Sequence, residues 1–332
     1  MRNKLKGYFM LFRILPVMVW SVTGSLIGTA AARLDTLEVD WLAFGLVLSV
    51  AALVQGYPTH IINEIYDWKS GADGRALRPN KSGGSKVLQA RLLSIHDLWR
   101  GFALSHLVLF VLILYCALKI DLNIVLYFIV PGYLSGVLYT LPPFRLAYRP
   151  FLGDWLGGFA GMFFLVTGSY YAQTFSLTPF ALLMATGVGL IYVAIMVYFH
   201  YLDHEHDQLA DPAKRTTVVF LGLEGCRMYA CGCLVLSVLL LLISGFKFHV
   251  ASLGLLPLSS AVLLSHLRAE LRSAASIIKW GKVMTMAVLI AGIAFAILAD
   301  TRFVLMVAFV ATGFWAHKKF GKLGGLSPRT PS

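Results

Sequence analysis

The chain has 332 residues, 58% of them hydrophobic and 13% charged, with 28 Lys and Arg against 16 Asp and Glu for a formal net charge of +12. So apolar a composition excludes an ordinary soluble domain and points to a protein that lives in a bilayer. A surplus of positive charge also suits nucleic acid, so where that charge falls along the chain decides its meaning.

A window of about 19 residues finds apolar segments near 8–32, 41–62, 101–118, 123–141, 151–172, 180–199, 228–246, 249–267, 283–299 and 303–317. Because roughly 20 residues of helix cross a bilayer, these predict an all-α fold, a polytopic membrane bundle of nine or ten transmembrane helices. Residues 1–320 are expected to form one domain, followed by a flexible tail at 321–332. The first segment is too long for a signal-peptide core and has no short charged leader ending in a small-residue cleavage site, so it is expected to remain as a span. If MRNKLK is cytoplasmic and the spans alternate, the outer loops hold only Arg33, Lys119, Lys247 and Arg302, and 24 of the 28 basic residues face the cytoplasm. That asymmetry predicts an integral protein of the inner (plasma) membrane, and it accounts for the net charge with no nucleic-acid partner. The four cysteines lie in or beside spans without metal spacing and read as small apolar fillers.

Two polar clusters interrupt the apolar pattern. The first, NEIYDWKSGAD at 63–73, opens the longest loop, 63–100; the second, at 200–227, begins HYLDHEHDQLADPAKRTT. Asn63 and Asp67 are four apart with Asp73 following, and Asp203, Asp207 and Asp211 step by four. A four-residue step places side chains on one face of a helix. The spans carrying the clusters run in the same direction, so both stripes arrive at one membrane face, as in a duplicated four-helix unit, although residue identities show no clear repeat. Carboxylates so placed call for a cation, and hard oxygen ligands without Cys point to Mg²⁺, which binds through a few carboxylates plus substrate phosphates. Candidate phosphate partners are Lys69, Arg75, Arg78, Lys81, Lys86, Lys214 and Arg215, and Ser82–Ser85 is either an anion-binding nest or a flexible connection. Arg13 either reaches the same anion from the first span or anchors that span at the interface.

At these residues the chain resembles a known family. NEIYDWKSGAD is similar to the first aspartate-rich motif of the UbiA superfamily of intramembrane prenyltransferases, and DHEHDQLADPAKRTT to the second. The menaquinone branch, which prenylates 1,4-dihydroxy-2-naphthoate, matches through Asn63, Asp67, Gly71 and Asp73 with SGGSKVL after them, and YTLPPFRLAYRPFLGDWLGG from Tyr139 resembles the loop between spans four and five. Glu64 departs from the usual Asp, and Asp211-Pro212 stands where relatives often carry Gly. The resemblance implies a UbiA-like bundle in which Asn63, Asp67, Asp203 and Asp207 are catalytic. Together with Asp73 and Asp211 these would hold Mg²⁺, while Lys69, Arg78, Lys81, Lys86, Lys214 and Arg13 hold the diphosphate of a polyprenyl donor. Ionisation would leave an allylic cation facing aromatic rings such as Tyr139, Phe144, Tyr192 and Tyr198, to be attacked by an aromatic acceptor. His60, His204 or His206 would accept its proton.

Two other chemistries compete. Ion-coupled transporters also carry intramembrane acids, but usually at the midplane, and the scattered histidines do not form the clusters that a membrane di-iron enzyme needs. Capture of the cation by another ring, or by the donor's own double bond as in terpene cyclisation, keeps the same motifs.

Overall fold

The computed structural model describes residues 2–73 and 84–321. Arg75, Arg78, Lys81, Ser82 and Gly83, and all but the first residue of the expected tail, lie outside them. Helices joined by turns and loops make up the described residues, with no strand among them. Long helices occupy the positions of the apolar segments: α1 (Asn3–Thr36), α2 (Trp41–Ser70), α3 (Ile95–Lys119), α4 (Leu122–Val137), α5 (153–174), α6 (Pro179–His200), α7 (Thr217–Lys247), α8 (Val250–Arg268), α9 (Ala274–Ala299) and α10 (Thr301–Phe320). By length and composition, all except α4 and α5 qualify as membrane spans, eight helices among the described residues, and α4 is a shorter apolar helix.

Helix starts follow local chemistry. Asp40 accepts the amide hydrogens of Leu42 and Ala43, and Ser94 and Asp97 form a reciprocal capping box. That box starts α3 six residues before its apolar run. Likewise α7 begins at Thr217, capped by Thr216, well ahead of the apolar run at 228, and breaks at Gly222, whose φ of 71° leaves the helical region. α6 is apolar around most of its circumference and is the most enclosed helix, with Ile191, Tyr192, Val193, Ala194 and Ile195 fully buried.

Four wide π-helical turns interrupt this regularity: Met18–Val22 in α1, Gln55–Thr59 in α2, Val125–Ile129 in α4 and Gly153–Phe159 in α5. Pro58, which has no amide hydrogen to give its helix, accounts for the turn in α2. α1 is also broken at Arg13, a non-glycine residue held at φ 51° between two helical segments.

Candidate functional site

A cavity of about 330 Å³ opens between α1, α2, α4, α5 and the end of α6. Its body is apolar, with Val47, Val50, Val54, Ile124, Phe128 and Leu165 in its wall; its mouth holds Asn63, Asp67, Asp73, Asp203, Asp207, Lys214, His200 and Arg13. Each of the four wide turns contributes lining residues: Trp20 and Ser21, Gln55 and Thr59, Phe128 and Ile129, and Gly157.

The helix carrying the first motif ends at Ser70, with Gly71 at φ 77° as its left-handed cap. The chain therefore folds back, and the Asp73 amide bonds the Asp67 carbonyl at 3.4 Å. Asp67 is buried and fully engaged. Its Oδ2 accepts from Asn63 Nδ2 and Lys214 Nζ, each at 2.9 Å, and its Oδ1 accepts from the Tyr148 hydroxyl at 2.8 Å. The second motif begins in the short helix His204–Leu209, and the Asp211 amide donates to the Ser70 carbonyl at 2.9 Å, stitching the two motif loops together. Lys214 Nζ stands between the motifs, 3.8 Å from Asp207 Oδ1, and His200 Nδ1 lies 3.5 Å from Asp207 Oδ2. The Tyr139 hydroxyl in turn bonds His200 Nε2 at 2.8 Å.

Electrostatics follow from this crowding. Burial together with the charges of Asp67 and Glu64 pushes the Asp73 carboxyl up to about 8, against the pull of Lys86 and Lys214. Burial alone would lower the Lys214 ammonium, but Asp67 and Asp207 hold it well above its ordinary value. Tyr148 is pushed up by burial and then by the Asp67 charge. Among the described residues, three buried carboxylate oxygens make no hydrogen bond: Glu64 Oε1, Asp73 Oδ2 and Asp207 Oδ2, the last with only His200 Nδ1 near it, at 3.5 Å. Among the described residues no three His, Cys, Asp or Glu side chains stand close enough to bind a metal as they lie. Even so, orphaned oxygens on Asp73 and Asp207, both lining the mouth, with no cysteine in the lining, are the donor set of a hard divalent cation. Gly84 makes room for them, because a Cβ there would lie 2.1 Å from Asp73 Oδ2.

Several expected residues stand elsewhere. Asp211 is exposed and outside the cavity, because it precedes Pro212, which disfavours helix at that position and ends the four-residue stripe after Asp207. Lys69 is exposed, with its ammonium 5.4 Å over the Tyr66 ring. Lys86 Nζ donates to the Asp73 carbonyl at 3.2 Å. In the expected nest, the Ser85 amide and hydroxyl bind Glu64 Oε2 at 2.6 and 2.9 Å, so those donors already hold an anion of the protein itself. Tyr139 lines the cavity, but Phe144 is exposed, and Tyr192 and Tyr198 are spent in the core on the carbonyls of Val19 and Ile277. The aromatic wall is instead Tyr139 with Trp20, Phe128, Tyr133, Phe164 and Phe199. Of the three candidate proton acceptors only His60 lines the cavity; it is 7% exposed and its Nδ1 makes no hydrogen bond among the described residues. Sequence reasoning missed Glu64, Tyr148 and His200 as site residues.

Residues 18–289 match the model of the UbiA prenyltransferase family. Among solved structures, the chain is similar to a UbiA homologue from Archaeoglobus fulgidus bound to GPP and Mg²⁺, with 15% identity, a TM-score of 0.64, and coverage of 87% of this chain and 99% of that one. The same homologue bound to DMAPP and Mg²⁺ gives 16% identity and a TM-score of 0.63 over 87% and 98% of the two chains. A digeranylgeranylglyceryl phosphate synthase gives 17% identity and a TM-score of 0.59 over 90% and 99%. At these identities the structural likenesses speak for the fold. No curated protein sequence matches the chain.

Proposed function

The chain belongs to the UbiA prenyltransferase family, and on that premise we propose that it moves a polyprenyl group from an allylic diphosphate to an aromatic acceptor, 1,4-dihydroxy-2-naphthoate, with Mg²⁺ as cofactor. The observation that carries this reading is the pairing at one mouth of partnerless carboxylate oxygens with an apolar cavity behind them. The mouth lies on the cytoplasmic face of the plasma membrane, a placement supported by the basic residues gathered in that face's segments.

Asp73, Asp207 and Glu64, with Asn63 and Asp203 beside them, would hold the metal. Bound there, Mg²⁺ neutralises the diphosphate and makes it a better leaving group. Asp67 is already held by three donors and fixes Lys214 and Tyr148 in place. Arg13 and Lys214 supply positive charge at the mouth for the diphosphate oxygens. As the carbon–oxygen bond of the donor breaks, its electron pair leaves with the diphosphate. The rings of Tyr139, Trp20 and Phe199 flank the allylic cation and the apolar wall excludes water that would capture it. A ring carbon of the acceptor then forms the new bond, and the acceptor hydroxyl passes its proton to the His60 imidazole.

The test is diphosphate release by purified protein with geranylgeranyl diphosphate, in Mg²⁺ or EDTA, against dihydroxynaphthoate, 4-hydroxybenzoate, a prenylglycerol phosphate and no acceptor. Mg²⁺-dependent release with dihydroxynaphthoate alone is expected. Release only with the glycerol phosphate would replace the acceptor, and release with none would replace transfer by cyclisation or hydrolysis.

A further inference from the structure

The cavity has a floor. At the end remote from the acids it is walled by Val47 and Val50 of α2, Ile124 and Phe128 of α4, and Leu165 and Gly168 of α5. Phe128 is 8% exposed, lines this end of the cavity and packs in one buried cluster with Val47 and Val50 of α2 and Ala172 of α5. Two features hold it there. Gly168 has no side chain, and a Cβ at that position would stand 2.8 Å from the Phe128 Cβ. The Tyr171 ring lies 5.1 Å from the Phe128 ring and is itself fixed by its hydroxyl, which donates to Asp121 Oδ2 at 2.7 Å.

We propose that Phe128, seated on Gly168, sets the greatest length of prenyl chain the protein accepts, at about four isoprene units. This rests on the prenyltransferase reading. Along α2 the lining continues one turn further, to Val47, but the stretch that sets the length runs from Asp67 at the mouth to Val50, which shares a buried cluster with Phe128. At about 1.5 Å of rise per residue that is roughly 25 Å, of which a diphosphate occupies about 5 Å. An isoprene unit adds four carbon–carbon bonds of about 1.5 Å each, or about 5 Å along an extended chain. The remaining depth therefore takes about four units, and a fifth meets the Phe128 ring. The wall there is braced by the Tyr171 to Asp121 hydrogen bond, which keeps Phe128 from yielding cheaply.

Farnesyl, geranylgeranyl, hexaprenyl and solanesyl diphosphates are compared as competing donors with the wild-type chain, Phe128→Ala, Phe128→Leu and Gly168→Ala. Wild type should prefer geranylgeranyl over hexaprenyl. Both Phe128 variants should move the ratio of kcat/KM values toward the longer donors, the alanine by about tenfold or more. Gly168→Ala should move it toward farnesyl, because the added methyl pushes Phe128 into the cavity. Thermal stabilisation by each diphosphate without acceptor reads the same preference through binding alone. If turnover is absent but that binding preference shifts with the variants, the transfer reading fails and the floor stands. Length preference unchanged across all three variants, in turnover and in binding, would overturn the floor.

Discussion

Replacing Lys214 by methionine removes a positive charge that stands between the two motifs while keeping most of the side-chain volume. Lys214 Nζ is 2.9 Å from Asp67 Oδ2 and 3.8 Å from Asp207 Oδ1, and the three side chains are 8%, 3% and 2% exposed. Removing one member of so buried a set leaves uncompensated carboxylates, a change that costs about 3–5 kcal/mol in comparable cases. The Asp67 carboxylate keeps its bonds from Asn63 and Tyr148, so the expected loss sits near the lower end, about 3 kcal/mol. Unfolding of the detergent-solubilised protein followed in EDTA should show that loss. Added Mg²⁺ should then stabilise Lys214→Met more than the wild type, because the variant presents two freed carboxylates to the ion. Lys214→Arg, which keeps the charge on a longer, planar head, should recover part of the stability. If Lys214→Met unfolds in EDTA like the wild type, the lysine is not the counter-charge that closes the mouth, and the reasoning fails.

Two further outcomes follow from the same geometry. Tyr148→Phe deletes the hydroxyl that donates to Asp67 Oδ1 and sits 2.7 Å from Ser70 Oγ. A hydrogen bond to a charged acceptor is worth about 1.5–3 kcal/mol, so kcat/KM for the donor should fall by about ten- to a hundredfold; unchanged kinetics would show that Asp67 is positioned without it. Asp73 gives the pH dependence: its carboxyl is raised from 3.8 to about 8 by burial and by Asp67 and Glu64. Between those values the folded chain keeps a proton that the unfolded chain releases. The contribution is therefore fully present below 3.8 and is lost as pH rises through about 8, making unfolding easier across that window. In EDTA, Asp73→Asn should flatten this slope; an unaltered slope would assign it to another group.

How much of this could be read from sequence depends on the range of the interaction. Asn63 and Asp67, and likewise Asp203 and Asp207, were legible because a spacing of four on a helix is a local property, and the structure brings all four to the cavity. Asp211 shares the spacing and not the place, because the backbone turns before Pro212, so periodicity reached only as far as the helix did. Tyr148 could not be seen from spacing: it lies 81 residues from the carboxylate it bonds, in a loop whose course depends on how α4 and α5 pack. Glu64 was visible as a departure from the usual aspartate, but its role as acceptor for Ser85 depends on the loop folding back over α2. The aromatic wall was guessed by residue type. Tyr192 and Tyr198 instead face the core, since one helix turn decides which neighbour a ring meets and apolarity all around α6 offers no clue. Helix positions were the most legible feature, because the membrane imposes a long apolar run on almost every one.

The wide turn Gln55–Thr59 has a consequence for the angular phase of α2. A regular helix advances about 100° per residue, so the one extra residue in a π-helical turn rotates everything beyond it by that amount relative to everything before. On α2 the apolar lining, Val47, Val50, Ala51 and Val54, precedes the turn, and His60, Asn63 and Asp67 follow it. The helix thus carries two faces that an unbroken spiral would point in different directions, one for a hydrocarbon tail and one for a charged head. The widened turn is the splice that brings both onto a single line of sight.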